Sequence, residues 1–472
     1  MLYQSTRGSA PELDFTEVLL AGLARDGGLY VPKSWPRFTP AEWQGMVGLP
    51  YAEVAKRVMT PFVGAAIPRT DFAAMVDDTY DKFYHPAVAP LTQIGGNEWV
   101  LELFHGQTIA FKDYALQLLG RLFDYSLTRA RRRAVIVGAT SGDTGSAAIE
   151  ACRDRKALEI FILFPHGKVS DFQRRQMTTV TSTNVHAIAV DGSFDDAQAI
   201  VKELFNDHGF RDEVGMAAIN SINWARIMAQ IVYYATSSLS LGAPSRRVDF
   251  VVPTGNFGNI YAGYAARQMG LPIGRLVLAT NQNDILARWL ATGTMATAPV
   301  KPSISPSMDI QISSNVERLI FELLGRDSAK LKSFMEAFAE KGQASMPAEI
   351  MSELKTVFHG YAVSDEATLQ TMRQVYESTG ETLDPHSAIA VHALLAERAG
   401  QESAAEKQAA LVALACAHPA KFAAAVTQAY GRPVEPPKFL KGIETRPERY
   451  ERMAASAAVV KDYIREQTRG AT

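Results

Sequence analysis

The sequence predicts an α/β protein with two open α/β lobes and an additional, mainly helical N-terminal domain. Two observations predict it. From about Leu91 onward, short apolar runs rich in β-branched residues alternate with helical segments, the pattern of a parallel sheet covered on both faces. Before that point the alternation is missing and amphipathic helical runs dominate. At 472 residues the chain is too long for one simple core. The expected division is a helical domain at 1–95, a large α/β domain at 96–125 with 245–472, and a small α/β domain at 126–244.

Composition narrows the class. With 47% hydrophobic and 21% charged residues the chain reads as an ordinary globular protein. A formal net charge of −2 argues against nucleic acid as a partner. The two cysteines, Cys152 and Cys416, give no disulfide framework and suit a reducing cytoplasm. The opening residues MLYQSTRGSAPELD lack the basic flank and apolar run of a signal peptide, and no apolar stretch reaches membrane-span length. The nine histidines form no HExxH motif and no cluster with cysteine, so no metal site is expected.

Taken in order, Asp14 is placed to cap a helix over Phe15–Arg25, and Thr39 followed by Pro40 to begin a second. Ala52–Val63 and Thr70–Phe83 read as two more. Asp26–Pro36 reads as a structural turn, and Ser5–Gly8 (STRG) as a solvated arm. A strand at Trp99–Leu103 then runs through the small-polar turn His105–Gln107 to Lys112, and a helix opens at Asp113. The neighbours Ile109, Ala110, Phe111 and Tyr114 disfavour an ammonium on Lys112 and would lower its pKa. Such a lysine can condense with an aldehyde, or it can snorkel to the surface like most lysines.

Further strands are expected at Ala134–Val137, Glu159–Phe164, Val185–Val190, Asp249–Val252, Leu276–Ala279 and Leu411–Ala415, with helices such as Thr144–Arg153 and Asp195–Asp207 between them. Ligands of such sheets sit beyond the carboxyl ends of the strands. Three loops occupy those positions. GATSGDTGSAA (Gly138–Ala148) offers hydroxyls and a helix N-terminus to a carboxylate. PTGNFGN (Pro253–Asn259) has two glycines three apart before a helix over Tyr261–Gln268, a shape that suits a phosphate or simply a tight turn. The third loop opens at Cys416, where a buried thiol ordinarily serves packing. Between them, Asn220, Ser221, Asn223 and Arg226 suit an anion gripped from several sides, or a solvated helix start capped by Asn220 or Ser221. The C-terminal third is expected to be mainly helical, with runs at Ala329–Ala339, Asp365–Glu377 and Arg449–Glu466, and a helix followed by a buried strand in Ala404–Ala415.

A lysine in an apolar setting, a phosphate-shaped loop and a carboxylate-gripping loop call for a cofactor with an aldehyde and a phosphate, and pyridoxal 5'-phosphate has both. At this point the chain resembles the threonine synthases, in their longer form with an N-terminal domain. The resemblance runs through YQSTRG, GLARDGGLYVP, FHGQTIAFKD, GATSGDTGSAA, LFPHGKVSDFQRRQM, SINWARIMAQIVYY, PTGNFGN, PSMDIQISSNVERL, DPHSA and AHPAKF. It implies the pyridoxal-phosphate-dependent fold type II and assigns cofactor binding to the large domain. It also implies that Lys112 is the Schiff-base lysine. Gly255, Asn256, Phe257, Gly258 and Asn259 would wrap the cofactor phosphate. Thr140, Ser141, Gly142 and Thr144 would hold the substrate carboxylate, and Asn220, Ser221 and Arg226 the substrate phosphate. Asp143 stands where related enzymes often carry Asn near the ring hydroxyl. Cys416 stands where Thr or Ser commonly faces the pyridine nitrogen, and a thiol is a weaker partner there. The implied reaction turns O-phospho-L-homoserine and water into L-threonine and phosphate, in a cytoplasmic monomer or homodimer. A phospholyase releasing 2-oxobutanoate, a serine or threonine dehydratase, and a non-catalytic metabolite-binding relative are the alternatives; the product formed separates them.

Overall fold

The apolar runs become strands of two sheets. The computed structural model describes residues 1–217 and 219–469. The chain divides into two units: Met1–Val18 with Leu23–Phe111 and Ser221–Val434, and Leu19–Gly22 with Lys112–Asn220 and Glu435–Thr472.

In the first unit a six-stranded sheet runs in the order Phe358–Ala362, Ile273–Thr280, Val248–Pro253, Ala410–Ala415, Glu98–Glu102, Leu91–Gln93. Every pairing is parallel except the last. The two central strands, VDFVVP and ALVALA, are buried at every position. A strand covered on both faces has no polar side to alternate, which is why these segments read as continuous apolar runs. Helix Pro385–Ala399 joins Ala388, Ile389, Val391 and Leu394 to strand residues Val251, Val277 and Leu411 in one core.

The N-terminal stretch belongs to this unit. Tyr3–Ser5 pairs antiparallel with Tyr30–Pro32. Ser5 and Thr6 are buried, and Arg7 Nη2 lies 3.1 Å from Glu317 Oε2, so STRG is no solvated arm. Helix Phe15–Ala21 ends earlier than its apolar pattern suggested, because Gly22 at φ 65° leaves the helical region. Thr39 does cap Pro40–Gln44, with a full capping box to Glu42. Helices Tyr51–Val63 and Arg69–Tyr80 follow within one to three residues of the expected bounds.

In the second unit a wholly parallel sheet runs in the order Glu451–Ala454, Val185–Asp191, Leu158–Pro165, Ala134–Ala139, Met216–Ala217. Here the expected helix Arg449–Glu466 is corrected. Its first part is the edge strand Glu451–Ala454, and the helix proper is Ala457–Arg469. The strand Val185–Asp191 would otherwise present unpaired backbone groups, and pairing them outweighs local helical preference. Val460 and Ile464 of that helix are fully buried in the sheet's core, each contributing about 2 kcal/mol. The chain from Glu435 therefore lies in the unit that holds residues 126–217, not with the large sheet. No helix of the described residues is long and apolar enough to cross a membrane.

Candidate active site

Parallel neighbouring strands deliver the loops at their carboxyl ends side by side. In the first unit, adjacent strands Val248–Pro253, Ala410–Ala415 and Glu98–Glu102 bring together the loops that begin at Thr254, Cys416 and Leu103. In the second unit, strand Ala134–Ala139 leads through Thr140–Gly142 into helix Asp143–Cys152. The sequence-predicted residues fall into two clusters, one in each unit.

The second unit holds the lysine. Lys112 precedes helix Asp113–Arg129, is 9% exposed, and has its Nζ 3.4 Å from Asp143 Oδ2. The other carboxylate oxygen, Asp143 Oδ1, accepts from Gln173 Nε2 at 2.8 Å, and Gln173 Oε1 accepts from Ser170 Oγ. An acid at position 143 is thus paired with Lys112 and aimed by Gln173. Thr140 Oγ1 accepts from the amides of Gly142 and Gly145, which fixes the turn. Gly142 has φ 149° and ψ −87°, and a Cβ there would fall 2.5 Å from Gln173 Cδ. Only glycine fits. Ser141 and Thr144 are exposed at the start of the helix. Asn220 also belongs to this unit and is exposed.

The first unit holds the loop Pro253–Asn259 and the start of helix Trp224–Ser240. Phe257 takes the left-handed conformation (φ 62°), with its ring buried and stacked 6.1 Å from Phe358, and the helix starts at Gly258, three residues before the expected Tyr261. A Cβ on Gly255 would lie 3.0 Å from Ser307 O, so the loop passes close against the segment Pro306–Met308. Three residues that the sequence reading left without a role clasp it. Ser313 Oγ donates to Gly255 O (2.8 Å), Ser314 Oγ to Asn256 Oδ1 (3.2 Å), and Asn315 Nδ2 to Asn256 O (3.0 Å). Asn315 Nδ2 also reaches Ser221 O, and the Ser221 and Ser314 hydroxyls lie 3.2 Å apart. Arg318 is fully buried; it donates to Tyr30 O, Ile222 O and Asn315 Oδ1, which ties the N-terminal strand pair to the same clasp. Their signal was the tract SSNVER inside PSMDIQISSNVERL, where nothing but the clasp explains so many small polar residues.

Helix Trp224–Ser240 is capped by Asn223, whose side chain accepts from the Ala225 amide, rather than by Asn220 or Ser221. Arg226, in its first turn, is 5% exposed. Among the described residues its guanidinium has no carboxylate partner and its Nε has no hydrogen-bond acceptor. Burial pushes it down to about 10. Further along the same helix, Tyr233 and Tyr234 hydroxyls both donate to Asn259 Oδ1 (2.6 and 2.9 Å). That fixes the amide so that Nδ2 faces Cys416 Sγ at 3.9 Å. The Cys416 amide in turn donates to Ser387 Oγ, itself bonded to Asp384 of the DPHSA tract.

These groups suit pyridoxal phosphate. A buried lysine beside a carboxylate can carry an aldehyde, and a glycine loop leading into a helix N-terminus can carry a phosphate. The orphaned Arg226 Nε marks a place for a second anion. Family comparison agrees in three segments: the description "Threonine synthase N terminus" matches residues 2–80, "Pyridoxal-phosphate dependent enzyme" matches 85–341, and "Threonine synthase, C-terminal" matches 387–464. A threonine synthase of Pseudomonas aeruginosa is 52% identical over 98% of both chains. Among solved structures, the pyridoxal-phosphate-bound threonine synthase of Brucella melitensis superposes with a TM-score of 0.96 at 49% identity, covering 99% of this chain and 100% of that one. The yeast threonine synthase gives 0.94 at 37% identity, covering 99% of each. These matches span nearly the whole chain, and so the chain belongs to the threonine synthase family of pyridoxal-phosphate-dependent enzymes.

Proposed function

We propose that the chain converts O-phospho-L-homoserine and water into L-threonine and phosphate, as a lyase dependent on pyridoxal 5'-phosphate. The observation that carries the substrate is Arg226, a buried guanidinium with no counter-charge among the described residues. A charge left that way is costly unless an anion completes it, and a substrate phosphate does so.

When bound, the cofactor supplies an aldehyde for amines and an electron sink that eases loss of protons at the substrate's α- and β-carbons. Lys112 Nζ anchors it, and after release moves the protons: off the α-carbon, off the β-carbon, and back. Asp143 Oδ2 lies 3.4 Å from that Nζ and helps to orient it. Gln173 holds that carboxylate in place. Thr140, Ser141, Gly142 and Thr144 receive the substrate carboxylate at the N-terminus of helix Asp143–Cys152. Gly255, Asn256, Phe257, Gly258 and Asn259 form the cofactor-phosphate loop, kept in shape by Ser313 and Asn315. Cys416, whose Sγ lies 3.9 Å from Asn259 Nδ2, would hold the cofactor at its pyridine nitrogen. Asn220, Ser221 and Arg226 bind the leaving phosphate, far from the reacting α-carbon, where binding energy serves orientation. Phosphate held there orients the incoming water. Functionally, the N-terminal stretch braces the loop Pro253–Asn259 through Tyr30 and Arg318, whose Nη2 donates to Tyr30 O. A cytoplasmic monomer or homodimer is part of the reading; the compartment is supported by two buried cysteines that form no disulfide.

The test is a product assay with purified protein, pyridoxal phosphate and O-phospho-L-homoserine. Threonine and phosphate should appear in equal amounts. Phosphate accompanied by 2-oxobutanoate would make the enzyme a phospholyase instead.

A further inference from the structure

Ile109 is β-branched and fully buried, yet its φ is 52°. The left-handed region is an outlier for such a residue, and it persists only where the surroundings hold it. Three residues later comes Lys112. The holding segment is the one that follows strand Ala410–Ala415. Phe111 N–H donates to Cys416 O (2.8 Å), His418 N–H donates to Ile109 O (3.0 Å), and Ala110 bridges antiparallel to Ala417. These are backbone contacts. The side-chain member is Lys421, 1% exposed, whose Nζ donates to Thr108 O at 2.8 Å.

Desolvating an ammonium is expensive, so a buried lysine must be held by acceptors, and Thr108 O is one of them. The local chain is built to aim it. His418 Nδ1 accepts from the Ala420 amide and opens the tight turn Pro419–Phe422, which carries Lys421 inward. The mechanism above gives Lys421 no task, and the resemblance gave AHPAKF none. We propose that Lys421 is a positioning residue: it pins Thr108, holds the Ile109 turn left-handed, and thereby fixes the backbone from which Lys112 springs. This rests on Lys112 being the cofactor lysine.

The experiment follows the visible absorbance that develops when pyridoxal phosphate is added to cofactor-free protein, together with amide exchange at Ile109–Lys112. Wild type, K421R, K421M, I109G and the I109G/K421M double variant are compared. Without its pin, an isoleucine turn leaves the left-handed region, so K421M should slow development of the absorbance about tenfold and speed exchange at Ile109 and Phe111. K421R keeps a donor and should stay within about threefold. Glycine takes either hand about as readily, so in the I109G background K421M should cost no more than about twofold. Packing lost with the isoleucine side chain is common to both I109G proteins and cancels in the comparison. Equal losses in the two backgrounds, or unaltered exchange in K421M, would overturn the proposal while leaving Lys112 in its role. Absence of the absorbance in wild type would remove the role of Lys112 and the proposal with it. If K421M alone does not fold, the double variant decides: recovery of folding supports the pin, and continued failure refutes it.

Discussion

Two buried cations, one in each unit, are treated in opposite ways. Lys112 has a carboxylate 3.4 Å away, and that carboxylate is itself oriented by Gln173. Arg226 is as deeply buried and, among the described residues, has no carboxylate partner. Under the proposed function the difference follows from the work. A lysine proposed to carry protons needs its amine held in one place, and a carboxylate neighbour does that. A guanidinium that must seize a phosphate gains most when nothing else has claimed it, and it carries an unfavourable charge until the ligand arrives. Arg318 is a third case: it is satisfied by carbonyl oxygens and stacked 5.8 Å over Trp224, and it serves as structure.

The sharpest way to break this contrast is at Lys112. Lys112→Ala should abolish the cofactor absorbance and lower turnover by about 10⁴-fold or more; ordinary turnover would end the assignment. Arg226→Met should lower kcat/KM for the phosphorylated substrate about a hundredfold. It should also raise the thermal midpoint of the ligand-free protein, because an uncompensated charge is gone. Inorganic phosphate should stabilise wild type and leave Arg226→Met unmoved. A ligand-free variant less stable than wild type would mean that Arg226 is structural like Arg318. Gln173→Ala loosens Asp143 without touching the lysine, so kcat should fall about tenfold with KM little changed. The smallest effect concerns stability. Burial, with His105 adding to it, holds His418 down to about 4 from its ordinary 6.5. Between those values the unfolded chain takes up a proton that the native ring refuses, so stability is fully present above about 6.5 and falls as pH drops toward about 4. His418→Asn should flatten that slope by about 2 kcal/mol, after allowance for the ring's partial contact with solvent. Denaturant titrations at several pH values would measure it.

Much of the fold was readable because burial on both faces leaves a strand apolar throughout: Ala410–Ala415 and Leu158–Pro165 were found that way. The failures share a cause. The edge strand Glu451–Ala454 is exposed except at Met453 and reads like the start of the helix behind it. Only the unpaired edge of Val185–Asp191 makes it a strand. The arm at Ser5–Gly8 looked solvated since its partner Glu317 lies 310 residues away. The helix cap went to Asn223 over its neighbours because tertiary contacts had engaged Ser221 elsewhere.

For the chemistry the division is similar. Residue types and spacing by themselves determined that a lysine, a glycine loop and an anion group exist, because each is a local run with its own physical signature. Which side chain answers which was decided in three dimensions: Gln173 on Asp143, Asn315 on Asn256, two tyrosines on Asn259, Lys421 on Thr108. A hydrogen bond depends on a few tenths of an ångström between groups far apart in the chain. Local sequence sets each group's chemistry, and only the folded sheets set the distance.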